Sequence, residues 1–198
     1  SDNFFTKNNF MNILMNMSSR LVIALGIAGC VITAGCDLSA GRMIGFGACI
    51  SGMLLQRMDY SGKFFPDMQP LNVFVVALIA MLVCAAFGTV TGFFIAYLNV
   101  PPFIATLAMM EIVYGIGLIV TNATPLGGYV EQYTNVSNGK FLGINYLIWI
   151  AIIVAAITWF IFNMTRHGKY MYAIGGNPQA AEVAGVPVKL TLILIYMK

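Results

Sequence analysis

Few residues in this chain could do chemistry. The single histidine, His167, is flanked by Arg166 and Lys169, with no carboxylate close in sequence to orient its ring as a general base. Gly175-Gly176-Asn177 lacks the Gly-Lys-Ser/Thr ending of a phosphate-cradling loop, and no two carboxylates stand at a catalytic spacing. Cys30, Cys36, Cys49 and Cys84 lie inside apolar runs, with neither zinc-type spacing nor the pattern of a secreted disulfide framework. They read as small packing residues. No metal, cofactor or hydrolytic centre is expected. Two acids remain, Asp37 and Glu111, in or beside long apolar stretches, where an ionisable group is costly and a functional candidate by default. Each also has a plainer role: Asp37 as a helix cap beside Arg42, Glu111 as a protonated or hydrogen-bonded carboxyl packed between helices.

The composition explains why chemistry is sparse. Of 198 residues, 60% are apolar and 9% charged, against about 25% charged in ordinary soluble domains, and mean hydropathy is +0.86. Such a chain has too few polar residues to cover a water-soluble globule. Ten Lys and Arg against seven Asp and Glu give a net charge of +3, with no basic patch interleaved with aromatics, so nucleic acid is not a partner. The lipid bilayer is.

A spanning helix needs about 20 largely apolar residues. Residues 71–98, 103–120 and 141–162 meet that ruler, the last with Tyr146, Trp149 and Trp159 toward its ends, as an interfacial aromatic belt requires. Residues 190–198 begin a further apolar run that stops at Lys198, too short to cross a bilayer, so the sequence looks cut inside a span. The stretch 21–55 is two short runs, 21–36 and 43–55, around Asp37-Leu-Ser-Ala-Gly-Arg42: either two short spans meeting at a turn, or one span interrupted by unwound backbone. Arg166, Lys169 and Lys189 make 163–189 the most basic connection and place it in the cytoplasm. Residues 121–140 and 56–70 then lie outside, and 1–20 also if 21–55 crosses as two spans. Gly88 and Gly92 form a G-x-x-x-G that lets helices approach closely. The expected fold is all-α: a polytopic transmembrane helix bundle forming one domain over 1–198.

Within 163–189, Asn177 suits a helix N-cap and Pro178 the first helical position. Gly185 suits the position after the C-cap, with Pro187 two residues on. The spacing predicts a short surface helix whose Ala180, Ala181 and Ala184 leave it small and smooth, either a connector or an element made to lie in another protein's groove.

Gln179-Ala180-Ala181 with Gly185 resembles the Glu-Ala-Ala-x-x-x-Gly loop of ABC importer permeases, with Gln in place of Glu. Arg166-His-Gly-Lys169 through Gly185-Val186, Gly35 to Gly41, and Ala96 to Leu107 are similar to the ribose/galactoside branch of that family, most closely to its galactose, methyl-galactoside and glucose members. The resemblance implies a bacterial inner-membrane permease subunit for a monosaccharide, and not an enzyme. It implies an ATP-binding cassette subunit docked on a coupling helix made of Asn177, Pro178, Gln179, Ala180, Ala181, Glu182 and Gly185. It further implies a periplasmic sugar-binding protein and a second permease copy. Asp37, Ser39, Thr89, Thr91, Asn99, Thr106 and Glu111 are candidates to line a weakly polar path, although threonine hydroxyls serve their own helix carbonyls equally well. An ion-coupled transporter or channel working without an ATPase is the alternative, since broken segments and intramembrane acids occur there too.

Overall fold

In the computed structural model, which describes residues 6–197, the apolar runs become helices because a chain in hydrocarbon must pair its own backbone groups. The side chains of Lys7 and Asn8 are not described, and residues 1–5 and Lys198 lie outside the described residues. The order is α1 Lys7–Ile32, α2 Ala40–Leu54, α3 Val73–Leu98, α4 Pro102–Val120, α5 Glu131–Asn138, the hairpin β1 Lys140–Phe141 and β2 Ile144–Asn145, α6 Tyr146–Met164, α7 Arg166–Gly176, α8 Pro178–Val183 and α9 Val188–Tyr196. Segments Asn9–Ile32, Val73–Leu98, Pro102–Val120 and Tyr146–Met164 are long and apolar enough to cross a membrane. This is a membrane-spanning helical bundle.

Three boundaries differ from the sequence reading. The first span does not run over 21–36: α1 starts at Lys7 and stops at Ile32. Thr6 caps it by accepting from the Asn9 amide at 3.3 Å, and in its polar N-terminal half Asn16 and Ser18 donate to the carbonyls of Asn12 and Leu14, at 3.0 and 2.7 Å. The last full span begins at Tyr146 rather than 141. Leu142 and Gly143, both at positive φ, turn the preceding residues into a hairpin, and Asn145 then caps α6 by accepting from the Leu147 amide at 2.8 Å. The 43–55 run is α2, whose 15 residues measure ~22 Å against a hydrocarbon core of about 30 Å. It cannot cross alone.

Contacts between elements give the bundle two ends. At one, the Leu55 carbonyl accepts from the Val130 amide at 3.0 Å and Gly128 from Arg57 at 2.7 Å. The Gln56 side chain, 1% exposed, donates to the Gly127 carbonyl and accepts from the Phe64 amide. This gathers the α2–α3 loop onto the α4–α5 loop. At the other end, Lys189 at the start of α9 stands 5.1 Å from the ring of Tyr97 near the end of α3, and Gly175 of α7 abuts the Ile32 carbonyl that closes α1. Because Cys84, near the middle of α3, donates to the Met43 carbonyl at 3.6 Å, α2 starts at mid-bundle and climbs to the α5 end.

Two apolar clusters hold these pieces. Cys30, Ile95, Met171, Ile195 and Tyr196 join α1, α3, α7 and α9; Met43, Phe46, Met109 and Val113 join α2 and α4, with Phe87 edge-on to Phe46 at 5.6 Å. The G-x-x-x-G of α3 receives α9. A Cβ built on Gly92 would stand 2.7 Å from the Ile193 Cα, and one on Gly88 would meet the Tyr196 carbonyl. Gly92→Ala should therefore lower the detergent melting temperature by the equivalent of about 1–3 kcal/mol, the usual cost of overpacking. Gly45→Ala, with nothing within 4 Å, should leave it unchanged within error.

Candidate coupling segment and membrane break

Between α1 and α2 the backbone leaves the helix at bundle depth. Ala34 takes φ +56, its amide donates to the Val31 carbonyl at 3.1 Å, and the Gly35 amide donates to Cys30 at 2.8 Å. That pair of bonds is a Schellman closure with alanine where glycine is usual. Gly35 serves a different need, since a Cβ there would lie 2.5 Å from the Tyr196 hydroxyl. That hydroxyl donates to the Cys36 carbonyl at 3.4 Å. The Asp37 carboxylate accepts from the Ser39 amide at 2.8 Å and the Ser39 hydroxyl at 2.6 Å, which starts α2. Arg42 stacks on Tyr114, with its guanidinium carbon 3.9 Å from the ring centre.

The residues expected to line one path do not gather. Asp37, Ser39 and Thr91 border a 540 Å³ cavity with mostly apolar walls between α1, α2, α3 and α9. Thr106 is fully buried and donates to the Pro102 carbonyl at 2.8 Å. Thr89 and Thr91 likewise donate to Ala85 and Phe87 in their own helix. Asn99 is the left-handed cap that ends α3, exposed at the α8 end. Glu111 is exposed midway along α4, on a side of the bundle away from that cavity. Thr89, Thr91 and Thr106 thus spend their donors within their own helices, and Asn99 serves as a cap.

The segment after α6 is built in two steps. Thr165 caps α7 by accepting from the Gly168 amide, and Gly168 packs against the Phe162 carbonyl with no room for a side chain. His167, half-buried on α7, has its pKa lowered by burial, so it adds no charge near neutrality to that of Arg166, Lys169 and Lys189. Asn177 then caps α8, accepting from the Ala180 amide at 3.0 Å. Gly185 at φ +82 closes α8, with Val186 donating to Ala181 and Gly185 to Glu182, both at 3.0 Å. Ala181 departs from the expected smooth alanine surface: it is 4% exposed and seats α8. Gln179, Ala180, Glu182 and Ala184 face outward, and Val183 is 91% exposed. Sequence reasoning passed over Val183 and the Arg42–Tyr114 pair; an apolar residue beside an acid in a capped helix, and an arginine opening an apolar run, were the available signals.

A permease family described as "Branched-chain amino acid transport system / permease component" matches residues 9–198. The chain belongs to this family. It is 44% identical to the galactose/methyl galactoside import permease protein MglC of Escherichia coli over 98% of its own length and 60% of that protein's. It is 35% identical to the protein of the same name from Treponema pallidum, covering 94% of this chain and 38% of that one. The ribose import permease protein RbsC of Escherichia coli is 32% identical over 99% of this chain and 59% of that protein. The chain thus spans about 60% of the length of the Escherichia coli relatives it matches. No solved structure matches it.

The Asp37 turn can be tested directly. Asp37→Ala should cost about 0.5–2 kcal/mol, as loss of a capping acceptor does, read as a lowered melting temperature of the detergent-solubilised protein. Asp37→Asn keeps an acceptor oxygen and should recover most of that loss.

Proposed function

We propose that this chain forms part of the membrane-spanning permease of a bacterial ABC importer, resident in the inner membrane. Its cargo on this reading is a monosaccharide: galactose, methyl galactoside or glucose. The single observation that carries the reading is the 44% identity maintained over 98% of the chain to a galactose/methyl galactoside import permease. The family description names branched-chain amino acids, but the high-identity relatives are named for sugars.

On this reading ATP hydrolysis belongs to a separate cassette subunit, which grips α8 from the cytoplasm. A periplasmic sugar-binding protein delivers cargo at the α5 end, and two permease copies complete the assembly. Asn177, Pro178 and Gly185 shape α8; Ala181 seats it, and Gln179, Ala180 and Glu182 present the docking face. Load on α8 has a short route inward. The Ala181 carbonyl holds Val186 just before α9, α9 lies backbone to backbone on α3 at Gly92 and Gly88, and the Tyr196 hydroxyl reaches the break at Cys36. A partner can shift the equilibrium between inward- and outward-open states only by gripping α8 with different affinity in each. Asp37, Ser39 and Thr91 stand where that shift would be felt.

Expression of the whole native locus in a strain lacking galactoside uptake should restore ATP-dependent uptake. Uptake that follows an ion gradient with ATP depleted would favour the ion-coupled alternative. Ala181→Leu, which unseats α8, and Gly185→Val, which puts a β-branched residue at positive φ, should abolish uptake and sugar-stimulated ATPase activity while membrane insertion stays normal. Normal uptake by both variants would overturn the role of α8.

A further inference from the structure

Arg42 and Glu111 are ionisable side chains far from either bundle end, and neither is buried. Arg42 begins α2 next to Met43, whose carbonyl meets Cys84 near the middle of α3. Glu111 is equally distant from both ends of α4. Among the described residues neither joins an ion pair, the only such bridge being Arg57 with Asp59 at the α5 end. The Arg42 guanidinium lies on the Tyr114 ring, which is itself 40% exposed. Beside them a 190 Å³ recess runs between α2 and α4, lined by Arg42, Gly45, Cys49, Tyr114, Leu118 and Thr121 among others. Glu111, Tyr114 and Leu118 follow one another at helical spacing along one side of α4.

Charged groups at such depth face a water-filled cavity or protein, seldom lipid. We infer that the α2–α4 face is the aqueous wall of the translocation path, and that Arg42, Tyr114 and Glu111 are its sugar-contacting residues. The chemistry suits a polyol. A planar guanidinium donates two parallel hydrogen bonds to neighbouring hydroxyls, a carboxylate accepts from others, and an aromatic ring offers an apolar surface to the C–H face of a pyranose. The 540 Å³ cavity on the other side of α2 has walls too apolar for this task. The assignment of sugar as the solute rests on the function proposed above; the assignment of this face to water does not.

The test uses the transporter expressed from its whole locus, with Cys30, Cys36, Cys49, Cys84 and every other cysteine of the permease replaced by alanine. Glu111→Cys and Leu118→Cys are introduced singly, with Ile112→Cys and Ile119→Cys on the flank of α4 as controls. A membrane-impermeant, charged thiol reagent should modify the first two at least about tenfold faster than the controls, and saturating galactose should slow that reaction. Arg42→Ala should raise the KM for galactose about tenfold or more with kcat largely kept, as loss of a charged hydrogen-bonding partner predicts, and Arg42→Lys should recover part of it. Equally slow modification at all four positions, or cross-linking of two copies through Glu111→Cys in place of labelling, makes the face a buried interface and overturns the inference. Fast modification that galactose does not slow, in a protein that imports galactose, overturns the sugar contact. Failure of the unaltered protein to import any galactoside defeats the proposed cargo, and the labelling rates still decide whether the face is wet.

Discussion

A backbone that leaves the helix within a hydrocarbon layer has no water to complete its hydrogen bonds, and each unpaired group there costs several kcal/mol. The chain meets that constraint between Ile32 and Ala40 with groups brought from three directions. The local turn pairs Gly35 with Cys30 and Ala34 with Val31, and the Thr33 hydroxyl covers the carbonyls of Gly29 and Cys30. The Asp37 carboxylate takes the Ser39 amide. The Tyr196 hydroxyl, 160 residues along the chain, reaches the Cys36 carbonyl. No buried side-chain nitrogen or oxygen among the described residues lacks a hydrogen-bond partner.

The approach of Tyr196 to Cys36 goes together with the rest of the packing. For Tyr196 to reach Cys36, α9 must run deep along α3, and only glycine at 88 and 92 leaves room for its backbone. α9 starts just after α8, so α8 must sit at the same end, held by Ala181 and closed by Gly185. On the α1 side, Gly175 lets α7 touch the Ile32 carbonyl, which places the basic segment under the broken helix. In lipid there is little hydrophobic gain in bringing helices together. Close backbone approach through small residues takes its place, and Gly88, Gly92 and Gly175 fall where helices meet.

The parts legible in the sequence are those that local rules decide. Composition implies the membrane, run length gives the cores of α3, α4 and α6 to within a few residues, and the caps of α8 follow from Asn177, Pro178 and Gly185. The rest depends on contacts that no window contains. A polar opening segment does not look like part of a span, yet α1 runs from Lys7 behind a Thr6 cap, with Asn16 and Ser18 turned back onto the carbonyls four residues earlier. Ala34 takes a left-handed conformation where glycine is usual; the glycine is needed one residue later, against Tyr196. Polarity in a sequence does not reveal whether a hydroxyl donor is already used within its helix, as those of Thr89, Thr91 and Thr106 are.

The geometry also restricts how motion could pass through the bundle. α9 cannot tilt toward α3, because backbone already touches backbone at Gly92 and Gly88. It can slide along that line of contact or pivot about it, the small shear typical of packed helices. At its start lies α8 with an exposed valine. At its other end lies the least regular backbone in the membrane, which the Tyr196 hydroxyl of α9 touches through a 3.4 Å bond to the Cys36 carbonyl. A slide of one or two ångströms breaks a bond of that length, while the Schellman closure and the Asp37 turn, both local, persist. The break would then reorient as a unit, carrying the start of α2 and the side chain of Arg42 with it.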